Sequence, residues 1–255
     1  MKNVLTVTKF TFIEVYRSRL MISLIFLALG LVLLTFVASE FAYGAPAKVA
    51  LDVGLGIMSI SNLIISIFIG STLLSKEIEQ RTLYMVLSKP ISRSSFLLGK
   101  ILGLSTVLLI NSIVLGALSI FLFINYGGNY QQLFFWAIYF SFIEAFTVLS
   151  FAVFFSLLTN TTLSVIFTIT VFIAGHAVNE TSKILFVKLS DSLLIAMKVI
   201  FYFLPSFYKL NLKDFVLYQQ TVSTQYLWMT HLYIFCYLFG LLSAILLIFK
   251  NKNLD

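Results

Sequence analysis

The chain has 255 residues, of which 60% are hydrophobic, 16% aromatic and only 11% charged, and its mean hydropathy is +1.03. This excludes a soluble globular protein and leaves no space for a sizeable water-soluble domain between apolar runs long enough to span a bilayer. A single cysteine, Cys236, excludes a disulfide framework and a multi-cysteine metal site, and the net charge of +7 is explained by membrane topology without nucleic acid.

From the N-terminus, Val4, Leu5, Val7, Phe10, Phe12 and Val15 are interleaved with Lys9, Glu14, Arg17 and Arg19. That pattern predicts an interfacial helix over 1–19, held on the inner surface by snorkelling basic side chains. A membrane span needs about 20 apolar residues, since a helix rises about 1.5 Å per residue across about 30 Å of hydrocarbon. Charges mark the ends of the first two spans, read over 20–39 and 54–75. Ala45-Pro46-Ala47 has the small residues of a signal-peptidase site, but the apolar run before it is too long for a secretory leader and reads as a retained anchor. After a cytoplasmic segment over 76–100, spans follow at 101–124 and 133–158, split by the turn sequence Asn125-Tyr126-Gly127-Gly128-Asn129. A tight turn at Thr159-Asn160-Thr161-Thr162 leads to a fifth span over 162–178. Residues 179–226 are read as an external segment with an amphipathic helix inside Ile184 to Leu204, ended by Pro205, and the sixth span covers 227–249. The expected fold is an all-α integral membrane protein of six transmembrane helices, with one transmembrane domain over 1–255. Both termini are expected in the cytoplasm, because that arrangement puts eleven of the seventeen basic residues inside.

The most specific stretch is the cytoplasmic segment. Glu77 precedes Arg81 by one helical turn, the favourable order for an ion pair, and Ile78, Leu83, Met85, Val86 and Leu87 supply apolar surface that a short loop does not need. Lys89-Pro90 stops the helix, and Ser92 can cap the next one, which re-enters the membrane past Gly99-Lys100. The prediction is a helix, a sharp corner and a second helix presented to the cytoplasm on two spans. A plain alternative is a basic amphipathic loop that anchors to lipid headgroups.

These residues resemble the type-2 permeases, the membrane subunits of ABC transporters of the exporter class. The resemblance lies in Glu77 and Glu79, then Thr82-Leu83, Ser88-Lys89-Pro90, Ser92-Arg93 and Phe96-Leu97-Leu98-Gly99-Lys100, with Arg81 where many members have glycine. It implies that the segment contains a coupling helix that docks into a separate ATP-hydrolysing subunit. Leu83, Tyr84 and Leu87 would supply buried contact, and Glu77, Glu79, Arg81 and Arg93 a charged rim; Thr82, Lys89, Pro90, Gly99 and Lys100 complete the matched set. The resemblance further implies two ATPase subunits per complex, which would bind ATP and Mg²⁺, a second permease copy or a paralogue, and a place in the cytoplasmic (inner) membrane, with scope for an external accessory protein. The chain itself has no phosphate-binding glycine loop, so no cofactor and no catalytic role are expected in it.

Among the remaining polar residues, Glu144 is the one ionisable group near the centre of a span, where burial costs about 2.5–3.5 kcal/mol on insertion scales. It is a candidate for the transport pathway, or a packing group hydrogen-bonded to a neighbouring span. His176 and His231 fall near the outer ends of the fifth and sixth spans, where a two-histidine metal site is conceivable but lacks companion ligands, so none is expected. Gly99 and Gly103 are spaced for close helix packing. Two functions of other classes stand beside the permease: an ATP-independent carrier or channel with Glu144 as ion or proton relay, and a membrane enzyme, which no constellation of nucleophile, base or metal ligands supports.

Overall fold

A computed structural model describes residues 2–17, 20–42, 44–79, 92–188 and 203–251. Among these residues the regular structure is helical throughout, with no strand. Helix α1 covers Lys2–Tyr16, α2 Leu20–Phe41, α3 Pro46–Glu79, α4 Arg93–Asn125, α5 Leu133–Leu158 and α6 Thr161–Lys188. A 3₁₀ turn at Phe207–Lys209, a short α7 over Lys213–Leu217 and the long α8 over Thr224–Asn251 complete the chain. Helices α3, α4, α5, α6 and α8 are long and apolar enough to cross a membrane, and α2 adds a shorter apolar stretch over Phe26–Phe41.

Local chemistry sets the helix ends. Ser92 is the N-cap of α4, its Oγ accepting from the Ser95 amide at 3.2 Å. At the other end, Gly127 adopts φ +88°, which a side chain would resist, and the Gly128 amide reaches back to the Phe123 carbonyl at 3.0 Å. Between α5 and α6 the extended Thr159 followed by Asn160 suffices for the reversal, because the Asn160 carbonyl accepts the first bond of α6 from the Ser164 amide at 2.9 Å.

Two helix ranges differ from the expected spans. α3 starts eight residues before the span read at 54 and runs on through Glu79, so Lys76 to Glu79 continue the membrane helix. α6 continues past 178 to Lys188, so the first ten residues read as the external segment, 179–188, prolong the helix of the fifth span, whose apolar stretch ends at Val178. The reason is the same in both: a charge ends the hydrocarbon crossing but not the helix, whose backbone bonds are made equally well in the headgroup region. The amphipathic helix expected within 184–204 lies mostly outside the described residues.

The core is built by α3, α4 and α5. Met58, Ile67, Leu115, Phe123, Phe140 and Val148 are buried in one cluster that also takes in Phe207, Leu210, Leu212 and Val216 from the segment before α8. Helix α3 can lie this close to α5 because Gly70 faces Ala152, where an added Cβ would stand 2.6 Å from the alanine methyl. A second cluster joins Val7 of α1, Phe96, Leu97 and Ile101 of α4, Val153 and Leu157 of α5, and Ile245 and Phe249 of α8. The N-terminal helix, the start of α4 and the end of α8 therefore meet at the end of the bundle where the 76–100 segment joins α3 to α4. We call this the elbow end.

Candidate functional site

Of the residues matched in the 76–100 segment, Glu77 and Glu79 fall in the last turn of α3 and Arg81, Thr82, Leu83, Tyr84, Leu87, Lys89 and Pro90 lie outside the described residues. The structure defines the mounting of the segment. On the α3 side the helix is continuous from Pro46 to the elbow. On the α4 side, Arg93 donates through Nη1 to the Lys250 carbonyl of α8 at 3.4 Å, and the next turns of α4 sink into the cluster of four helices.

Gly99 and Lys100 face α1. A Cβ on Gly99 would stand 2.6 Å from Val7 Cβ and 3.0 Å from the Val4 carbonyl, and one on Gly103 would stand 2.6 Å from Thr11 Cβ. The two glycines are thus the seat that lets α1 lie backbone to backbone against the base of α4. Lys100 Nζ meets Glu14 Oε2 at 3.1 Å, with the lysine side chain 8% exposed and the glutamate 66%. Val7, Thr11 and Val15 of α1 turn inward while Leu5, Phe10 and Tyr16 are exposed together with Lys9 and Arg17, so the helix has one packed face and one mixed apolar and basic outward face.

About 26 Å from the elbow along either helix, at 1.5 Å per residue, α3 and α4 are joined by a buried polar network. Asn111 donates from Nδ2 to Asn62 Oδ1 at 2.8 Å and to Ser61 Oγ at 3.0 Å, Asn62 Nδ2 donates to Ser112 Oγ at 2.8 Å, and Ser61 Oγ donates to Asn111 Oδ1 at 3.3 Å. One turn on, Ser66 donates to the Ala145 carbonyl of α5 at 2.9 Å. In a membrane these groups have no water to fall back on, so the pairing fixes the register of α3 on α4. The two helices that carry the elbow are pinned to each other at mid-depth.

Beside this network runs a groove between α3 and α6, floored by α5. Two adjoining cavities, of about 150 and 300 Å³, share Ser59, Ile60, Ser141, Glu144 and Phe172. Glu144 Oε1 lies 2.8 Å from His176 Nε2, the side chains being 16% and 31% exposed. The imidazole is held between Phe172 and Phe207, at 4.7 and 5.6 Å between ring centroids. At the rim away from the elbow, Lys213 Nζ pairs with Asp52 Oδ1 at 2.7 Å and ties α7 to the first turns of α3. The groove presents a carboxylate, an imidazole and hydroxyls inside an apolar wall, a set suited to passing or holding a polar group rather than to covalent chemistry.

The partner of Glu144 was not legible in the sequence. His176 lies near the end of the apolar stretch, as expected, but α6 runs ten residues beyond 178, so the imidazole is held within a continuous helix. Glu144 and His176 are equally distant from Asn160 at the α5–α6 turn, about 24 Å at 1.5 Å per residue, and that symmetry is the signal that pairs them. His231 is elsewhere: its Nδ1 is 2.9 Å from the Tyr139 hydroxyl, in a different cavity from His176. No group of three or more metal-ligating side chains comes together among the described residues.

The model for the ABC-2 family transporter protein matches residues 7–178, well over half of the chain. The chain belongs to the ABC-2 family. It is accordingly a multi-pass membrane permease of an ABC transporter. The match covers most of α1, all of α2 to α5 and most of α6, and with them the elbow, the pinned helix pair and the α3, α5 and α6 walls of the groove, and leaves α7 and α8 outside it. A search of curated proteins found no match.

Proposed function

We propose that this permease couples ATP hydrolysis by a separate subunit to movement of a substrate along the α3–α6 groove, in the direction of export. The 76–100 segment docks on the ATPase, with Leu83, Tyr84 and Leu87 in buried contact and Glu77, Glu79, Arg81 and Arg93 around them. The ATPase binds ATP and Mg²⁺, two copies serve each complex, and a second permease chain faces the first. The elbow end is cytoplasmic in the cell membrane, as the charge of its flanks favours.

One observation carries the reading: the two helices leaving the docking segment are locked at mid-depth by Asn62 and Asn111, beside the groove that holds Glu144. A displacement at the elbow is therefore carried as a rigid-body movement of α3 and α4, and the α3 wall of the groove moves with it. Purification from native membranes in mild detergent tests the docking. A stoichiometric ATPase is expected with the wild-type chain and is lost with Leu83→Asp and Leu87→Asp; retention by the double variant overturns the assignment. The Glu144–His176 pair favours one other reading, a carrier with these groups as proton relay. It requires transport that follows a pH gradient with no ATPase present.

A further inference from the structure

A second concavity lies away from the groove, between the first turns of α5 and α8. It measures about 330 Å³, and all the side chains lining it are aromatic: Phe135, Trp136 and Tyr139 from α5, Trp228 and His231 from α8. The walls brace one another. Trp136 stands edge-on to Tyr139, with centroids 6.0 Å apart and planes at 86°, and Trp228 stands edge-on to His231 at 6.3 Å and 81°. Tyr139 stacks on His231 at 5.7 Å, and the 2.9 Å bond from its hydroxyl to Nδ1 fixes both rings.

Two comparisons separate this cavity from ordinary membrane surface. The groove between α2 and α3, about 610 Å³, is lined by Phe26 and Phe68 with leucines, isoleucines, glycine and serine, the lining expected of a gap filled by lipid tails. Among the described residues, no aliphatic side chain lines the α5–α8 cavity. The chain also has just two tryptophans, and both line this cavity. An interfacial belt spreads its aromatic residues around the perimeter and over both faces of the membrane. Here both tryptophans share one open hollow, in which Phe135 and Trp228 are each about 65% exposed.

Aromatic ring faces carry negative potential, and several aromatic rings around a hollow whose described lining includes no Asp, Glu, Lys or Arg favour a weakly hydrated cation over an anion or a hydrated metal ion. We propose that the α5–α8 cavity is a binding site for a quaternary ammonium group, supplied by the headgroup of a choline lipid or by a free alkylammonium compound. The site is independent of the docking and groove assignments.

Because both tryptophans line the cavity, intrinsic tryptophan emission of the full-length chain reports on it alone. The chain in a non-ionic maltoside is titrated with choline chloride at constant ionic strength, and in parallel with 3,3-dimethyl-1-butanol, the neutral compound of the same shape. Choline is expected to give a saturable change, with the neutral compound at least about tenfold weaker. Trp228→Leu, with Trp136 as reporter, and Tyr139→Leu are each expected to weaken choline about tenfold, whereas Trp228→Phe retains binding; two separate wall variants guard against one failing to fold. Equal response to the neutral compound, a response that never saturates, or unaltered titration in both leucine variants overturns the proposal. Nanodiscs identify the source. If lipid fills the site, emission in phosphatidylcholine discs already sits at the choline-saturated value and added choline changes only phosphatidylglycerol discs. If choline titrates alike in both, the occupant is the free compound.

Discussion

Replacing Asn111 by leucine should unlock the elbow helices without altering the elbow. Asn111 makes three of the four bonds in the α3–α4 network, two as donor and one as acceptor. Interhelical hydrogen bonds in membranes average about 0.6 kcal/mol each, and stranding a buried acceptor such as Asn62 Oδ1 costs about 1–3 kcal/mol, with overlap between the two. We expect Asn111→Leu to destabilise the folded chain by about 2–4 kcal/mol in reversible SDS unfolding read by far-UV circular dichroism. Asn62→Leu added to Asn111→Leu removes the stranded amide. Ser112 keeps its bond to the Leu108 carbonyl at 2.8 Å, so the double variant should cost less than the sum of the singles by at least about 1 kcal/mol. In the assembled transporter, Asn111→Leu should leave ATP hydrolysis running while transport falls, because the docking surface is intact and the lever is not. Single variants within about 0.5 kcal/mol of wild type, or strict additivity, would refute the claim that these residues bind α3 to α4.

Other consequences follow from the same geometry. Gly103→Val should lift α1 from α4, where Thr11 Cβ already stands 2.6 Å from the site of an added Cβ, with an overpacking cost of about 1–3 kcal/mol seen as a lower melting temperature and faster proteolysis before α2. Lys100→Glu should destabilise the chain, with Glu14→Lys restoring part of the loss; no rescue by the charge swap would contradict the Lys100–Glu14 pairing. Gly175→Val should push Phe207 and the Pro205 carbonyl, 2.5 Å from an added Cβ, off α6 and admit a thiol reagent to a cysteine placed at Ser141, which wild-type packing shields. Glu144→Gln should reduce transport about tenfold or more with stability little changed, since the amide can still bond His176; a full transport rate in this variant would remove Glu144 from the pathway.

Much of the architecture is legible in the amino-acid order because the hydrocarbon core imposes it. Apolar runs of about 20 residues, the Asn125–Asn129 turn and the Ser92 cap identify a roughly six-helix membrane protein, and the family resemblance rests on residues of one short segment. Sequence marks the ends of helices less well than the ends of the hydrocarbon, which is why α3 and α6 are longer than their apolar runs. The Gly99–Gly103 spacing declares close packing but not its partner, since α1 is distant in sequence and short. Asn62 and Asn111 read as unremarkable polar residues within their spans; only the antiparallel register of α3 and α4 sets them face to face. Glu144 is conspicuous as a charge in a span and His176 as a histidine near a span end, whereas their pairing shows only when α5 and α6 are folded back on the Thr159–Asn160 turn.

The central claim is that movement at the elbow reaches the groove. Spin labels at Ile60 of α3, which lines the groove, and at Ile173 of α6, next to the lining Phe172, both about 60% exposed, report the α3–α6 separation in a Cys236→Ser background. In the complex with its ATPase, trapping with ADP and vanadate should shift the distance between the labels by about 2 Å or more, and the shift should vanish with Asn111→Leu while the ATPase stays bound. An unchanged distance in the wild-type complex, or the same shift with Asn111→Leu, would contradict the account.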